Sequence, residues 1–140
     1  MADKIPTSKV GKAQYRNYWK KACEFREAMR QSAGCGNWNA ASLNAIHAAI
    51  SANDALLVCF HGMRSISPKH NDAVKLLVSL VKHEKVKNNS AHLRRLINVK
   101  NIVEYEGRLF SRAEAHSLAK HTERFISWVE SMLPCEGGIT

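Results

Sequence analysis

His47, Ser51 and Asp54 are the residue types of a hydrolytic triad, and they recur along one predicted helix. Their spacing argues for a different role. Ser51 lies one turn from His47, but Asp54 lies seven residues on, roughly 10 Å along the axis at 1.5 Å per residue. A triad needs its carboxylate on the imidazole, to fix the tautomer and stabilise the charged ring. The three therefore read as a polar ribbon, hydrogen-bonding inside a bundle, at a subunit interface or towards a groove. Arg64 and His70, separated by five residues, form a second candidate, with His70 expected in the first turn of a helix. A helix N-terminus favours an anion and disfavours protonation of a nearby imidazole. Such a pair can bind phosphate or do acid–base chemistry at a ribose hydroxyl; equally, Arg64 can be a loop residue and His70 a local cap. Arg112 and His116, with three residues between them, are a third pair.

Metal and phosphate-loop chemistry find little support. Of seven histidines, no two have the i, i+4 spacing that puts both imidazoles on one helix face, and His116 and His121, five apart, diverge. The four cysteines, Cys23, Cys35, Cys59 and Cys135, show no pairwise metal spacing and read as reduced thiols of a cytoplasmic protein. Gly34 and Gly36 lack the preceding strand that a phosphate-binding glycine loop requires. No metal and no cofactor are expected.

The elements that position these residues are helices. Trp38 to His61 is apolar round most of its circumference. One stripe carries Ala41, Ala45, Ala48, Ala52, Ala55 and Cys59, a second Leu43, Ile46, Ile50, Asn53, Leu57 and Phe60. Only the stripe of Asn44, His47, Ser51, Asp54 and His61 is strongly polar. Two apolar faces predict a central helix wrapped by neighbours, with Asn37 or Asn39 as N-cap. A first helix is expected over about Ser8–Ser32, its inner side Tyr15, Tyr18, Trp19, Ala22, Phe25 and Met29, ended by Gly34 and Gly36. A third starts with Ser67 as cap and Pro68 at its first position. Ser90 is expected to cap a fourth, closed by Gly107. Ser111 to Glu114 fits a capping box that opens a fifth, ended by Pro134. The expected fold is all-α: an up-and-down bundle of four long helices plus one shorter helix, a single domain over residues 1–140 with an ordered core of about 8–133 and a loose tail from Cys135.

The chain of 140 residues is long enough to bury a core without disulfides or metal. It has no uninterrupted run of about 18 apolar residues, so no membrane association is expected, and lysines in Met1–Lys12 are not followed by a secretory apolar core. The net charge of +9 favours polyanionic partners, nucleic acid among them. Basic residues cluster at Lys9–Lys21 and Lys82–Arg95.

The order of these pieces resembles the HEPN superfamily of small helical bundles, over roughly Tyr15 to Leu133. Tyr18-Trp19-Lys20-Lys21-Ala22-Cys23-Glu24-Phe25 is similar to the family's opening helix. Gly36-Asn37-Trp38-Asn39-Ala40-Ala41 resembles the lead into its second, and Ala48-Ala49 with Asp54-Ala55-Leu56-Leu57 that helix's later course. His70 stands where a histidine often begins the third helix, and Ser111 to Leu133 resembles the closing helix. Lys100-Asn101-Ile102-Val103-Glu104-Tyr105 is similar to the Arg-x-x-Ala-Asp/Glu-Tyr signature of one branch. The resemblance implies a homodimer, a nucleotidyltransferase partner and a prokaryotic toxin–antitoxin or defence setting. Nuclease members cut RNA without metal through an Arg-x(4–6)-His motif assembled across the dimer. Here Lys100 stands at the arginine position and Glu104 and Tyr105 where the histidine is expected, and lysine lacks arginine's planar bidentate grip on phosphate.

Three readings follow. The leading one is a non-catalytic module binding RNA, a nucleotide or a protein partner through a groove of Lys100, Asn101, Glu104 and Tyr105, with Asp54 and His70. The second is a metal-independent endoribonuclease using a shifted Arg64–His70 or Arg112–His116 pair. The third is a structural partner subunit whose basic charge meets an acidic companion.

Overall fold

The computed structural model describes residues 4–134; the tail from Cys135 lies outside them. It is an all-α bundle with six α-helices among the described residues, α1 (Tyr15–Gly34), α2 (Trp38–His61), α3 (Asn71–Leu80), α4 (Val86–Asn98), α5 (Lys100–Tyr105) and α6 (Arg112–Met132), and one turn of 3-10 helix, Lys12–Gln14, leading into α1. Two three-residue strands, β1 (Thr7–Lys9) and β2 (Met63–Ser65), pair antiparallel with Ser8 opposite Arg64.

α2 runs through the middle, in contact with every other helix and with β2. Its alanine stripe is fully enclosed, Ala45, Ala48, Ala52 and Ala55 each having no exposed surface. Small side chains let neighbouring backbones approach, while Ile46, Leu56 and Leu57 fill the space between helices and join one core with Met29, Leu77, Leu93, Phe125 and Ile126. By length and composition α2 could cross a bilayer, but 67% of its most apolar window is buried in the bundle, as befits a core helix. α6 is fixed to it by Thr122, whose buried hydroxyl donates to the Ala45 carbonyl at 2.8 Å. A two-pronged Arg30–Glu123 contact, 2.7 and 2.8 Å, joins α1 to α6 at the surface.

The capping box is present: the Ser111 hydroxyl accepts from Glu114 N–H at 3.1 Å and Glu114 returns the bond to Ser111 N–H at 2.9 Å. Elsewhere the boundaries differ from expectation. The first helix starts at Tyr15, not Ser8, because Thr7–Lys9 pairs with the segment after α2. Gly62 makes that return possible. It ends α2 at φ 61°, and a Cβ there would stand 3.3 Å from the Val10 carbonyl. Val10 N–H binds the Gly62 carbonyl at 2.9 Å. Ser67 caps a tight turn rather than a helix: its hydroxyl accepts from Lys69 N–H at 3.1 Å and donates to Asp72 at 2.7 Å, so α3 begins four residues later, after His70. At α2, Asn37 occupies the N-cap position without a side-chain cap, and the Asn39 side chain instead accepts from Phe110 N–H at 2.8 Å.

The fourth helix is not capped by Ser90, which is buried inside α4 with its hydroxyl on the Lys87 carbonyl. It also breaks at Val99, whose N–H binds Leu96 three residues back instead of four. The break re-aims α5 so that Lys100 and Glu104 meet α2.

Candidate functional site

The polar stripe of α2 ends up half-covered by other elements, and Asp54 and His47 on it each have their own partner. Asp54, with a side chain only 9% exposed, is met by Arg64 from β2. Arg64 Nε and one terminal nitrogen donate to the same oxygen, Oδ2, at 3.2 and 3.1 Å. Oδ1 and the second terminal nitrogen, Nη1, stay outside the pair. The guanidinium also lies 5.4 Å from the centre of the Tyr18 ring on α1, within the range of a cation–π contact. Burial pushes the Asp54 carboxyl up from 3.8 to about 6, against the opposing pull of Arg64 and, more weakly, Lys21.

One turn pair earlier, His47 Nε2 stands 3.3 Å from Glu104 Oε1, while Glu104 Oε2 accepts from Lys100 Nζ at 2.8 Å. The Lys100 hydrogen bond holds Glu104 below the usual carboxylate range. His47 also faces Phe25, ring centres 5.4 Å apart. Two bridges therefore run from α2, one to β2 and one to α5.

These bridges border a cavity of about 260 Å³ onto which His47, Asp54, Arg64, Ser67, His70 and Lys100 open. On the other side of the Asp54–Arg64 pair is a larger cavity of about 520 Å³ between α1 and α2, bordered by Tyr18, Lys21, Phe25, Asn44 and Ser51. Asp54, Arg64 and Ile50 belong to both, so the ion pair forms their common wall.

The structure thus gathers Asp54, Arg64, His70 and Lys100 at one place, with Glu104 behind Lys100. Asn101 and Tyr105 are exposed beyond its rim, Tyr105 at 76%. Arg112 and His116 are elsewhere, both exposed at the start of α6, with His116 5.5 Å from the Trp38 ring. His47, Ser51 and Asp54 form no triad: His47 pairs with Glu104 and Asp54 with Arg64. Sequence reading missed two features. Tyr18, expected on the inner side of the first helix, and Lys21, one of the first basic cluster, help wall the site. His92 on α4 and His121 on α6 meet at 2.8 Å between their Nδ1 atoms, so one ring donates and the other accepts. Burial, chiefly, lowers the pKa of both. Nothing in their separate spacings signals this contact, which only interhelical packing creates. Among the described residues no group of three or more His, Cys, Asp or Glu could hold a metal.

No curated protein matches the chain. A family model for the HEPN domain matches residues 15–132, from the first residue of α1 to the last of α6, and therefore takes in the helices that bear Asp54, Lys100 and Glu104, the turn that carries His70 and the strand that carries Arg64; the chain belongs to the HEPN domain family.

Proposed function

We propose that this chain is a HEPN module that acts by binding, holding the phosphates of RNA or a nucleotide in the groove beside α2. The observation that carries this reading is the convergence of Arg64, Lys100, His47 and His70 on one cavity from β2, α5, α2 and the start of α3. Asp54 and Glu104 do not cancel Arg64 and Lys100 so much as orient them. Each carboxylate fixes one cation by a charge-assisted bond, so less conformational freedom is lost when an anion arrives. The net charge of +9 adds long-range attraction for a polyanion.

Lys100 at the arginine position, with Glu104 and Tyr105 in place of the histidine, supports a non-catalytic member, and membership of a family of commonly dimeric bundles together with unpaired cysteines supports a cytoplasmic homodimer. A nucleotidyltransferase-type protein in a prokaryotic toxin–antitoxin or defence system is its proposed companion. Direct titration with fluorescent single-stranded RNA tests the binding reading. Affinity should fall linearly with salt on logarithmic axes, and Lys100→Gln should lower it about tenfold and reduce the slope by about one. Absence of RNA and nucleotide binding at low salt overturns it and leaves the structural-subunit role.

One observation favours a second reading, a metal-independent endoribonuclease: Arg64 and His70 open onto the same cavity. RNA cleavage in the presence of a chelator, abolished in His70→Ala, would establish it; intact RNA after prolonged incubation removes it.

A further inference from the structure

We infer that the face formed by the connection from α5 to α6 and the start of α6 is a docking surface for an acidic segment of a second protein, one large apolar side chain of which enters a cavity bordered by Arg95 and Arg108. The inference goes beyond the binding function proposed above, because this face shares no lining residue with either cavity of the groove beside α2.

The connection between Tyr105 and Arg112 presents its side chains in a fixed way. Arg108 and Phe110, two residues apart, lie together: the guanidinium is 4.4 Å from the ring centre. The Phe110 ring is buried, and its backbone N–H donates to the Asn39 side chain at 2.8 Å. Successive side chains of an extended segment point to opposite sides, so Leu109 is turned outward and is 76% exposed. Its neighbours on both sides are pinned. An apolar side chain held out by a fixed backbone loses little freedom when a partner covers it, as an interface anchor requires.

Phe110 is also the wall common to two hollows of about 300 Å³ each. One has an apolar floor of Val99, Ala113 and Leu118. The other is bordered by Trp38 and by Leu109 itself. Apolar and aromatic side chains beside open hollows, with arginines at the edge, are the composition of protein interface centres.

Charge selects the occupant. The one carboxylate bordering the first hollow, Glu114, is already taken by Arg108 at 2.9 and 3.1 Å and by Ser111 N–H at 2.9 Å. Glu106 borders neither hollow. Arg95 and Arg112 are exposed and make no ion pair among the described residues, and α4, which carries Arg95, contains no acidic residue at all. A second copy placed on this face by a two-fold axis would set the same basic patch against itself. An acidic partner meets complementary charge and leaves the apolar floor for its anchor.

Fluorescence anisotropy with the full chain tests this, using labelled peptides of about twelve residues, a length that covers one such face. One is acidic with a central Leu-Phe pair, one is the same with both replaced by alanine, and one is basic but keeps the pair. The acidic apolar peptide should bind about tenfold or more tightly than its alanine form and than the basic peptide. Arg95→Glu should weaken it about tenfold, and Leu109→Ala about fivefold while leaving the RNA titration unchanged. Equal binding of the acidic and basic peptides, or of the apolar and alanine forms, refutes the surface. If no peptide binds and Leu109→Asp lowers the mass of the free protein in sedimentation equilibrium, the face belongs to a second copy and the acidic partner is refuted. Loss of RNA binding in the wild type would fall on the groove alone, and loss of peptide binding on this face alone.

Discussion

Replacing Asp54 with asparagine should make the protein more stable at neutral pH, and the gain should vanish in acid. Asp54 is held in a site that disfavours its charge more than Arg64 favours it, so its carboxyl is raised from 3.8 to about 6. At about 1.4 kcal/mol per factor of ten, the ionised form costs the fold about 3 kcal/mol relative to an ordinary aspartate. The native state binds the proton more tightly than the unfolded chain does. The penalty is therefore absent below the unfolded value, grows as pH rises towards 6, and is complete above it. Asparagine has nearly the same shape and no charge, so the stability of Asp54→Asn minus that of the wild type should increase by about 3 kcal/mol between about pH 3.5 and pH 7.5. With a urea slope of about 1.5–2 kcal/mol per molar, the difference in midpoint should change by about 1.5–2 M across that range. Equilibrium urea unfolding of both proteins at matched pH values measures it, and subtraction removes every other titrating group. A difference that stays flat, or that turns against the variant as pH rises, refutes the reasoning and means that the Arg64 bridge outweighs the burial of Asp54.

Burial lowers the pKa of His92 and His121, so the unfolded chain takes up protons that the native pair refuses once pH falls through 6.5. Stability should drop in that window, and His121→Gln should flatten the drop in urea titrations from pH 7.5 to 5. Thr122→Val keeps the shape but removes the buried donor to Ala45 and should cost about 1 kcal/mol by the same assay. Ala52→Leu adds volume where no surface is free and should cost about 1–3 kcal/mol, lowering the thermal midpoint.

The bundle was legible because its cause is repeated. Three stripes on Trp38–His61 demanded a central position whatever surrounded them, and the Ser111–Glu114 box carries its own local geometry. The misplaced boundaries share a different cause. Thr7–Lys9 is too short for period-two alternation to register, and its strand exists only because Met63–Ser65 returns beside it. Ser67 and Ser90 have helix-capping chemistry, yet one bonds within a turn and the other lies against a helix interior, both decided by packing around them. The site was half legible. Asp54, Arg64, His70 and Lys100 could be picked out as residue types, but their convergence depends on Gly62 reversing the chain and on the break at Val99. Neither residue carries chemistry of its own. Arg112 and His116 had suitable types, though three intervening residues fall short of the family's Arg-x(4–6)-His motif, and the fold places them away from the groove, exposed at the start of α6.

Arg64 owes its position to the paired strands. Ser8 sits opposite it, Val10 and Gly62 share a hydrogen bond, and Ile66 N–H reaches the Pro6 carbonyl at 3.0 Å. A ribbon of two three-residue strands is marginal alone, and elements of that kind open locally long before a core helix does. The guanidinium that stands between the two cavities is thus held in place by a short ribbon rather than by the core, and residues 6–10, which border neither cavity, fix the geometry of the groove through that pairing.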